Sequence, residues 1–270
     1  MAMPNNLVLV RHGESEGNVA NRFSKKGDNR FFTEEFKNRH SSKWRLTDKG
    51  REQAGKAGEW IRENISVKFD RYYTSEYLRA METAVFLNFP ESLWYAEFYL
   101  RERDWGELDV MTEEERRTKF AEALKRKEID SFYFTPPGGE SMAQLCLRID
   151  RILNTLHREC AGKDVMIVCH GDVMWAFRIR LERMSQGFYK LLDLSTDFFD
   201  RIHNCQIIHY TRKNPRTGKI SPHLDWRMSI CPWDLSKSSN LWHKTRRPKY
   251  STDDLWDIVK KTPVLITGEE

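Results

Sequence analysis

Two histidine–glycine pairs, each directly after a short apolar run, are the residues of this chain most suited to chemistry. Residues 7–14 read Leu-Val-Leu-Val-Arg-His-Gly-Glu, and residues 165–171 read Val-Met-Ile-Val-Cys-His-Gly. Such Val, Ile and Leu runs are typical of strands buried on both faces of a parallel sheet, and ligands bind at the carboxyl ends of those strands. If the two strands are neighbours, His12 and His170 meet beside helix amino termini that favour an anion. The pattern predicts two imidazoles facing a phosphate.

The segments around these motifs alternate between strand and helix signals. Apolar residues recur at helical spacing in several segments, and one stripe between residues 140 and 160 is expected to face the sheet. Strands are predicted over residues 69–74, 164–169 and 204–211, and helices over residues 48–63, 76–87, 112–127, 140–160 and 172–183. This alternation predicts a doubly wound α/β domain, with a mostly parallel central sheet and helices on both faces.

Length and composition limit the classes of protein that the chain can belong to. With 270 residues, 39% hydrophobic and 12% aromatic, it can bury one substantial core. The first ten residues show no basic leader, and no stretch approaches a membrane span, so we expect a cytoplasmic protein without a membrane partner. The five cysteines show no paired metal-ligand spacing. We therefore expect reduced thiols and neither a zinc site nor a redox function.

Charge divides the chain into a core and two basic segments. Residues 25–45 carry seven Lys or Arg against three acids, and residues 212–249 carry ten against two. We predict a catalytic domain over residues 1–211 with a basic insert at 25–45, followed by a basic extension over residues 212–270. The extension contains several tryptophans, so it could stack on single-stranded nucleic acid. The favoured interpretation is that the tryptophans pack onto the core while the lysines face water.

Further motifs join the two histidines in a fixed order along the chain. They are Arg11-His12-Gly13-Glu14-Ser15 with Asn18, Thr74-Ser75-Glu76-Tyr77-Leu78-Arg79-Ala80 with Glu82-Thr83-Ala84, Leu100-Arg101-Glu102-Arg103 with Gly106, and Cys169-His170-Gly171. In this order and spacing they resemble the histidine phosphatase superfamily, also called phosphoglycerate mutase-like, over roughly residues 5–211. The resemblance implies an enzyme of phosphoryl chemistry that needs no metal and no other cofactor.

The resemblance also implies a role for each motif residue. His12 is the nucleophile, because a neutral imidazole nitrogen can attack phosphorus and form a covalent phosphoenzyme. Arg11 and Arg79 bind the transferring group, since guanidinium forks meet phosphate oxygens in pairs and keep their charge. His170 and Asn18 complete the phosphate pocket as further donors.

Glu102 resembles the family's general acid, which protonates the leaving oxygen and later takes a proton from water. In an extended segment Arg101 and Arg103 point away from Glu102, so they need not hold its carboxylate ionised. The alternative is that Glu102 belongs to an exposed, salt-bridged loop, because charged residues surround it in the sequence.

The other site residues also have structural alternatives. Taken alone, His12 could be a hydrogen-bonding core residue, and its pairing with the second histidine is what favours the nucleophile. Arg79 could lie on the solvated face of its helix. Asn18 could cap a helix, and Arg11 could bind helix carboxyl ends.

The motifs fit a phosphatase better than a mutase. Arg116-Arg117 are similar to the tandem arginines with which the mutases grip a substrate carboxylate, but the prolines that follow in the mutases are missing. The segment between Glu102 and His170 is short for a lid, so water should reach the phosphoenzyme. We expect phosphomonoester hydrolysis on a small or polyanionic substrate, the latter suggested by the basic insert. Mutase-type phosphoryl transfer and non-catalytic binding of a phosphorylated ligand or nucleic acid remain the alternatives. The motifs specify neither the substrate nor the oligomeric state.

Overall fold

A computed structural model of the chain describes residues 2–266 and contains, within that range, a sheet of seven strands. The strands are β1 (Asn6–Arg11), β2 (Arg71–Thr74), β3 (Trp94–Ala96), β4 (Asp164–Cys169), β5 (Ile207–Thr211), β6 (Trp226–Ile230) and β7 (His243–Lys244). The helices are α1 (Glu16–Ser24), α2 (Glu34–Asn38), α3 (Asp48–Asn64), α4 (Leu78–Phe86), α5 (Glu113–Lys119), α6 (Ala121–Ile129), α7 (Met142–Glu159), α8 (Gly171–Glu182), α9 (Gln186–Leu194) and α10 (Thr252–Val259). None of these helices combines the length and apolar character needed to cross a membrane.

The strand order across the sheet is β3-β2-β4-β1-β5-β6-β7. The first four of these strands run parallel to one another, whereas β5, β6 and β7 are antiparallel to their neighbours. The predicted α/β fold is confirmed, and its sheet is mixed because three antiparallel strands continue one edge. The predicted neighbours β1 and β4 pair in register up to Arg11 and Cys169, so both strands end at the same level.

Each face of the sheet is covered by helices. Leu7 and Leu9 of β1 point to one face and pack in the same cluster as α7 and α8, while Val8 and Val10 point to the other face, toward α3 and α4. All four side chains are fully buried, which explains why β1 is a continuous apolar run. Each such side chain contributes about 1.5–3 kcal/mol through burial. The predicted stripe on α7 is buried against the sheet, with Leu153 at its partly buried edge.

The predicted helix over residues 112–127 is wrong in one respect, because it is broken into α5 and α6. Phe120 takes a non-helical conformation between them, with φ −128° and ψ 31°. Neither helix buries a residue, so no apolar stripe holds the two on one straight axis.

The proposed extension after residue 211 continues the sheet through β6, which pairs with β5 along five residues. The indole N–H of Trp233 donates to the Asn204 carbonyl oxygen at 2.6 Å, and the ring of Trp242 lies 5.0 Å from that of His209. Both tryptophans therefore contact the core. The division of the chain at residue 211 stays a prediction.

Candidate active site

The carboxyl ends of β1 and β4 bring the two motif histidines together. The backbone N–H of His12 donates to the Cys169 carbonyl oxygen at 2.9 Å, and the next residue along that strand is His170. The two imidazole rings lie 5.1 Å apart between centroids, in an edge-to-face arrangement. Both histidines are buried, with exposed fractions of 2% and 0%. The two imidazoles thus lie in one crevice because β1 and β4 are adjacent parallel strands that end at the same level.

The His12 imidazole is held in one orientation. Its Nδ1 lies 2.8 Å from the carbonyl oxygen of Gly13, and its Nε2 lies 3.2 Å from the Nε–H of Arg79. Because Arg79 can only donate, the lone pair is on Nε2 and the ring proton is on Nδ1, which donates to Gly13. Burial, followed by the charges of Arg79 and Arg11, lowers the pKa of His12 well below its ordinary value. The ring is therefore neutral near pH 7, with an unprotonated Nε2.

Gly13 allows the loop after His12 to pack against α3. A Cβ at this position would lie 2.3 Å from the carbonyl oxygen of Gly50, so any larger residue would displace the loop. The Gly13 N–H donates to the Thr83 hydroxyl at 3.0 Å. On the other side, the Asn204 amide donates to the His12 carbonyl oxygen at 3.1 Å. These contacts fix the backbone on both sides of the imidazole.

Arg79 is a buried residue of α4, which excludes the interpretation that it lies on a solvated helix face. It is 5% exposed, and its guanidinium carbon lies 4.9 Å from the ring centre of Tyr77 and 6.0 Å from that of Trp44. Besides its bond to His12, the guanidinium donates to the Ser41 carbonyl oxygen at 2.7 Å. Ser41 belongs to the basic insert, so that segment helps to orient this arginine.

Two buried nitrogen atoms in this pocket have no partner among residues 2–266. Arg11 donates from one terminal nitrogen to the Ile202 carbonyl oxygen at 2.6 Å, but its Nε is buried and unpaired. His170 contacts the Ser75 hydroxyl through Nε2 at 2.8 Å, and its Nδ1 is likewise buried and unpaired. Buried polar atoms are normally hydrogen-bonded, so these two nitrogens point to a ligand with acceptor oxygens. Ser75, which follows β2, is a site residue that the sequence reasoning missed.

Asn18 both caps a helix and contacts the site. It occupies the third position of α1 in a capping box with Ser15, whose backbone N–H donates to the Asn18 Oδ1 at 3.2 Å. The same oxygen accepts from the Asn204 amide at 3.0 Å. Asn18 is thus linked to the His12 backbone through Asn204. Its role as a phosphate donor stays a prediction.

The Glu102 carboxyl group faces the two histidines. One of its oxygens and a ring nitrogen of each histidine all lie within 4.8 Å of one another. Its Oε1 accepts from the Arg103 backbone N–H at 3.0 Å. Burial, reinforced by the nearby Asp172 carboxyl group, raises the pKa of Glu102 to about 7. Asp172 was missed at the sequence level, although it lies only two residues after His170.

The arginines beside Glu102 in sequence do not hold it ionised. The Arg103 guanidinium donates to the carbonyl oxygens of Glu140 and Phe134, at 2.8 and 2.9 Å. Arg79 and Arg11 are the cations that oppose the rise in the Glu102 pKa, and burial outweighs them. The exposed, salt-bridged loop predicted as an alternative for Glu102 is not what the structure shows.

The three side chains that converge here could geometrically hold a metal ion, since nitrogen atoms of two imidazoles and a carboxylate oxygen lie within 4.8 Å of one another. The guanidinium of Arg79, however, is hydrogen-bonded to His12, and both Arg79 and Arg11 act electrostatically on the two histidines. Two fixed positive charges disfavour a cation and favour an anion. The chemistry of this donor set therefore fits a phosphate better than a metal.

A cavity of about 450 Å³ opens beside Arg11 and Glu102. Its wall also contains Lys25, Trp105, Gly171, Asp172, Trp175, Leu192, Asp193, Ser195, Asp200, Arg201 and Ile202. Lys25 is the insert's contribution to this wall. Other cations of the insert are neutralised elsewhere, such as Lys37 by Glu115 at 2.7 Å. The space beside Arg11 and Glu102 thus has both signs of charge and suits a small molecule.

The chain is similar to known proteins along most of its length. Residues 7–216 match the family model of the histidine phosphatase superfamily (branch 1). The chain is 32% identical to the 2,3-bisphosphoglycerate-dependent phosphoglycerate mutase of Parvibaculum lavamentivorans over 205 residues, which are 72% of this chain and 88% of that protein. Its fold is similar to that of a mycobacterial glucosyl-3-phosphoglycerate phosphatase, with a TM-score of 0.59, 21% identity and coverage of 76% and 92%. It is also similar to the alpha-ribazole phosphatase of Shigella flexneri, with a TM-score of 0.60, 20% identity and coverage of 81% and 96%. The chain belongs to the histidine phosphatase superfamily.

Proposed function

We propose that this protein is a metal-independent phosphomonoester hydrolase that works through a phosphohistidine at His12. The observation that carries the proposal is the pairing of an unprotonated His12 Nε2 with a carboxyl group of raised pKa, Glu102, in one pocket. A nucleophile without a proton and an acid with one are the two groups that the first displacement needs.

In the first step, His12 Nε2 attacks phosphorus and the bond from phosphorus to the ester oxygen breaks. Glu102 gives its proton to that oxygen, so the leaving group departs as an alcohol. The charge on the phosphoryl oxygens is met by the guanidinium groups of Arg11 and Arg79 and by the unpaired Nδ1 of His170, which are already positioned.

In the second step, water attacks the phosphohistidine and the bond from nitrogen to phosphorus breaks. The Glu102 carboxylate takes the proton from the attacking water, which restores the acid for the next turnover. Inorganic phosphate leaves, and His12 returns to its neutral form with the lone pair on Nε2.

The contacts of the tandem arginines, Arg116 and Arg117, favour hydrolysis over mutase chemistry. Arg116 donates to the carbonyl oxygens of Leu108 and Asp109, at 2.8 and 3.2 Å, and to the side chain of Asn21 at 3.1 Å. The Arg117 side chain is 72% exposed and is paired with the carboxylate of its own helix residue Glu113. Arg116 is thus held by protein oxygens, and neither arginine lines the cavity beside Glu102. Phosphoglycerate mutase activity stays the second candidate, because the relative with 32% identity bears that name.

The proposed substrate is a small phosphorylated molecule. The cavity beside Glu102 has a volume suited to a small ligand. The basic insert suggested a polyanionic substrate, but four of its seven cations are paired with carboxylates. These four are Arg30, Lys37, Arg39 and Arg45. A cytoplasmic location is also part of the proposal.

The test compares phosphate release with phosphoryl transfer. The chain is incubated with a panel of sugar phosphates, nucleotides and phosphoglycerates, and inorganic phosphate is measured in each case. In parallel, 3-phosphoglycerate with 2,3-bisphosphoglycerate as primer is assayed for 2-phosphoglycerate. The proposal expects phosphate release from at least one monoester, faster than any isomerisation. Isomerisation that outpaces phosphate release would make the protein a mutase, and no turnover of any compound would favour a binding protein.

A further inference from the structure

A second cavity, of about 550 Å³, lies where the carboxyl end of α8 meets α9, β6 and β7. Its wall combines arginine and lysine side chains with apolar ones. The lining residues are Arg178, Glu182, Arg183, Met184, Ser185, Phe188, Leu192, Asp200, Arg227, His243, Lys244, Thr245, Arg246, Pro248 and Tyr250. The volume falls in the range of cavities that hold small organic ligands.

The wall of this second cavity has an excess of positive charge. Five cationic side chains face two carboxylates, those of Glu182 and Asp200. Within residues 2–266, three of the cations, Arg183, Lys244 and Arg246, have no carboxylate oxygen within 4.0 Å. A concave surface with an excess of one sign of charge concentrates ligands of the opposite sign.

The two remaining arginines of the wall, Arg178 and Arg227, share the carboxylate of Glu182. Arg178 and Arg227 lie 3.2 and 3.6 Å from the same Glu182 oxygen, which also accepts from the Tyr210 hydroxyl at 2.7 Å. Arg178 is only 7% exposed, and its guanidinium lies 4.4 Å over the Trp175 ring. One carboxylate does not neutralise two guanidinium groups, so the buried Arg178 and the partly buried Arg227 together retain a positive charge.

A buried hydroxyl of the same wall also lacks a partner. Thr245 is 9% exposed, and no hydrogen bond within the described part of the chain satisfies its Oγ1. Its backbone N–H is satisfied, since it donates to the Asp225 carbonyl oxygen at 2.7 Å. A buried hydroxyl without a partner is an expected component of a polar ligand site.

The other side of the cavity is apolar. Phe188 of α9 and Tyr250 are 50% and 53% exposed, although both line a concave surface. Met184 and Leu192 complete this side. An apolar wall opposite a cationic wall fits a molecule that has an apolar or planar part and an anionic part.

We propose that this second cavity binds an organic phosphate. The phosphate lies toward the cationic wall formed by Arg178, Arg227, Lys244 and Arg246, and the apolar part lies toward Phe188 and Tyr250. The site is separate from the catalytic pocket. The two cavities share only Leu192 and Asp200 in their walls.

The test measures the binding of AMP, which combines a planar base with a phosphate dianion. Because the catalytic centre could consume AMP, the full chain carries His12→Ala in every arm, and binding is followed by isothermal titration calorimetry. We expect a binding phase whose Kd rises at least tenfold when Lys244→Gln and Arg246→Gln are added. The matched control, Lys213→Gln with Lys219→Gln, removes two exposed lysines elsewhere and should leave that Kd within twofold.

Further probes distinguish the parts of the ligand. Adenosine and inorganic phosphate should each bind the second cavity with a Kd at least tenfold higher than that of AMP. The proposal is overturned if AMP binding is absent, if the Lys244 and Arg246 substitutions leave its Kd within twofold, or if inorganic phosphate binds as tightly as AMP. None of these outcomes depends on whether the protein is a hydrolase or a mutase.

Discussion

The Glu102→Gln substitution tests whether Glu102 acts as a general acid or has only a structural role. With a pKa of about 7 in place of the ordinary 4.5, about half of the molecules have a protonated Glu102 at pH 7. An ordinary glutamate would be protonated in about one molecule in 300 at that pH. Burial and Asp172 thus favour the protonated form of Glu102. Glutamine keeps the shape of the side chain but lacks the proton that the proposed mechanism transfers.

The assay compares two leaving groups. On an alkyl phosphate, Glu102→Gln should lower kcat/KM by about 10²–10⁴-fold, which is the usual contribution of general acid catalysis. On p-nitrophenyl phosphate, whose leaving group hardly needs a proton, the loss should be less than about tenfold on the same reasoning. Glu107→Gln is the matched control, because Glu107 is an exposed glutamate only five residues further along the chain.

The pH profile of the alkyl phosphate reaction follows from the same groups. As the pH rises through about 7, Glu102 loses its proton and the rate should fall, and this fall should be absent in Glu102→Gln. On the acid side the rate should fall only below the ordinary pKa of histidine, because the pKa of His12 is lowered. Equal losses of rate on both leaving groups would refute the acid role and assign Glu102 to positioning.

Three further results are expected. Activity should survive EDTA and be inhibited by vanadate, because the proposed mechanism assigns the transition-state charge to Arg11 and Arg79; a loss that magnesium or zinc restores would contradict this. Arg79→Lys should lower kcat/KM by about 10²–10³-fold without a large change in Tm, since lysine cannot bond His12 and the Ser41 carbonyl in the same geometry. Ser75→Ala should lower kcat by about tenfold, because His170 Nε2 loses its hydrogen bond; an unchanged kcat would remove Ser75 from the site.

The parts of the site that lie at strand ends were predictable from the sequence. The apolar runs before His12 and His170 indicate buried strands with ligand-binding carboxyl ends. The structure shows that the two strands are parallel neighbours that end at one level, which brings those residues together. Arg79 and Glu102 were predictable only through the family motifs. Local sequence predicts a surface helix residue and a charged loop, whereas the structure buries Arg79 between Tyr77 and Trp44.

Contacts between distant segments were not predictable. The bond from Arg79 to Ser41 and the effect of Asp172 on Glu102 depend on how the insert and α8 pack, which no local pattern records. The antiparallel edge of the sheet was missed for a similar reason. β6 and β7 are short strands in a basic segment, and their pairing with the core is set by tertiary contacts.

The central claim is covalent catalysis by His12, and trapping the phosphoenzyme tests it most directly. The wild-type chain is mixed with radioactive phosphomonoester and quenched within one turnover, and the label on the protein is followed in acid and in base. We predict label that is lost in acid, is stable in base and maps to His12, and that is absent from a folded His12→Ala variant without turnover. Turnover by folded His12→Ala, or label on another residue, would contradict the account.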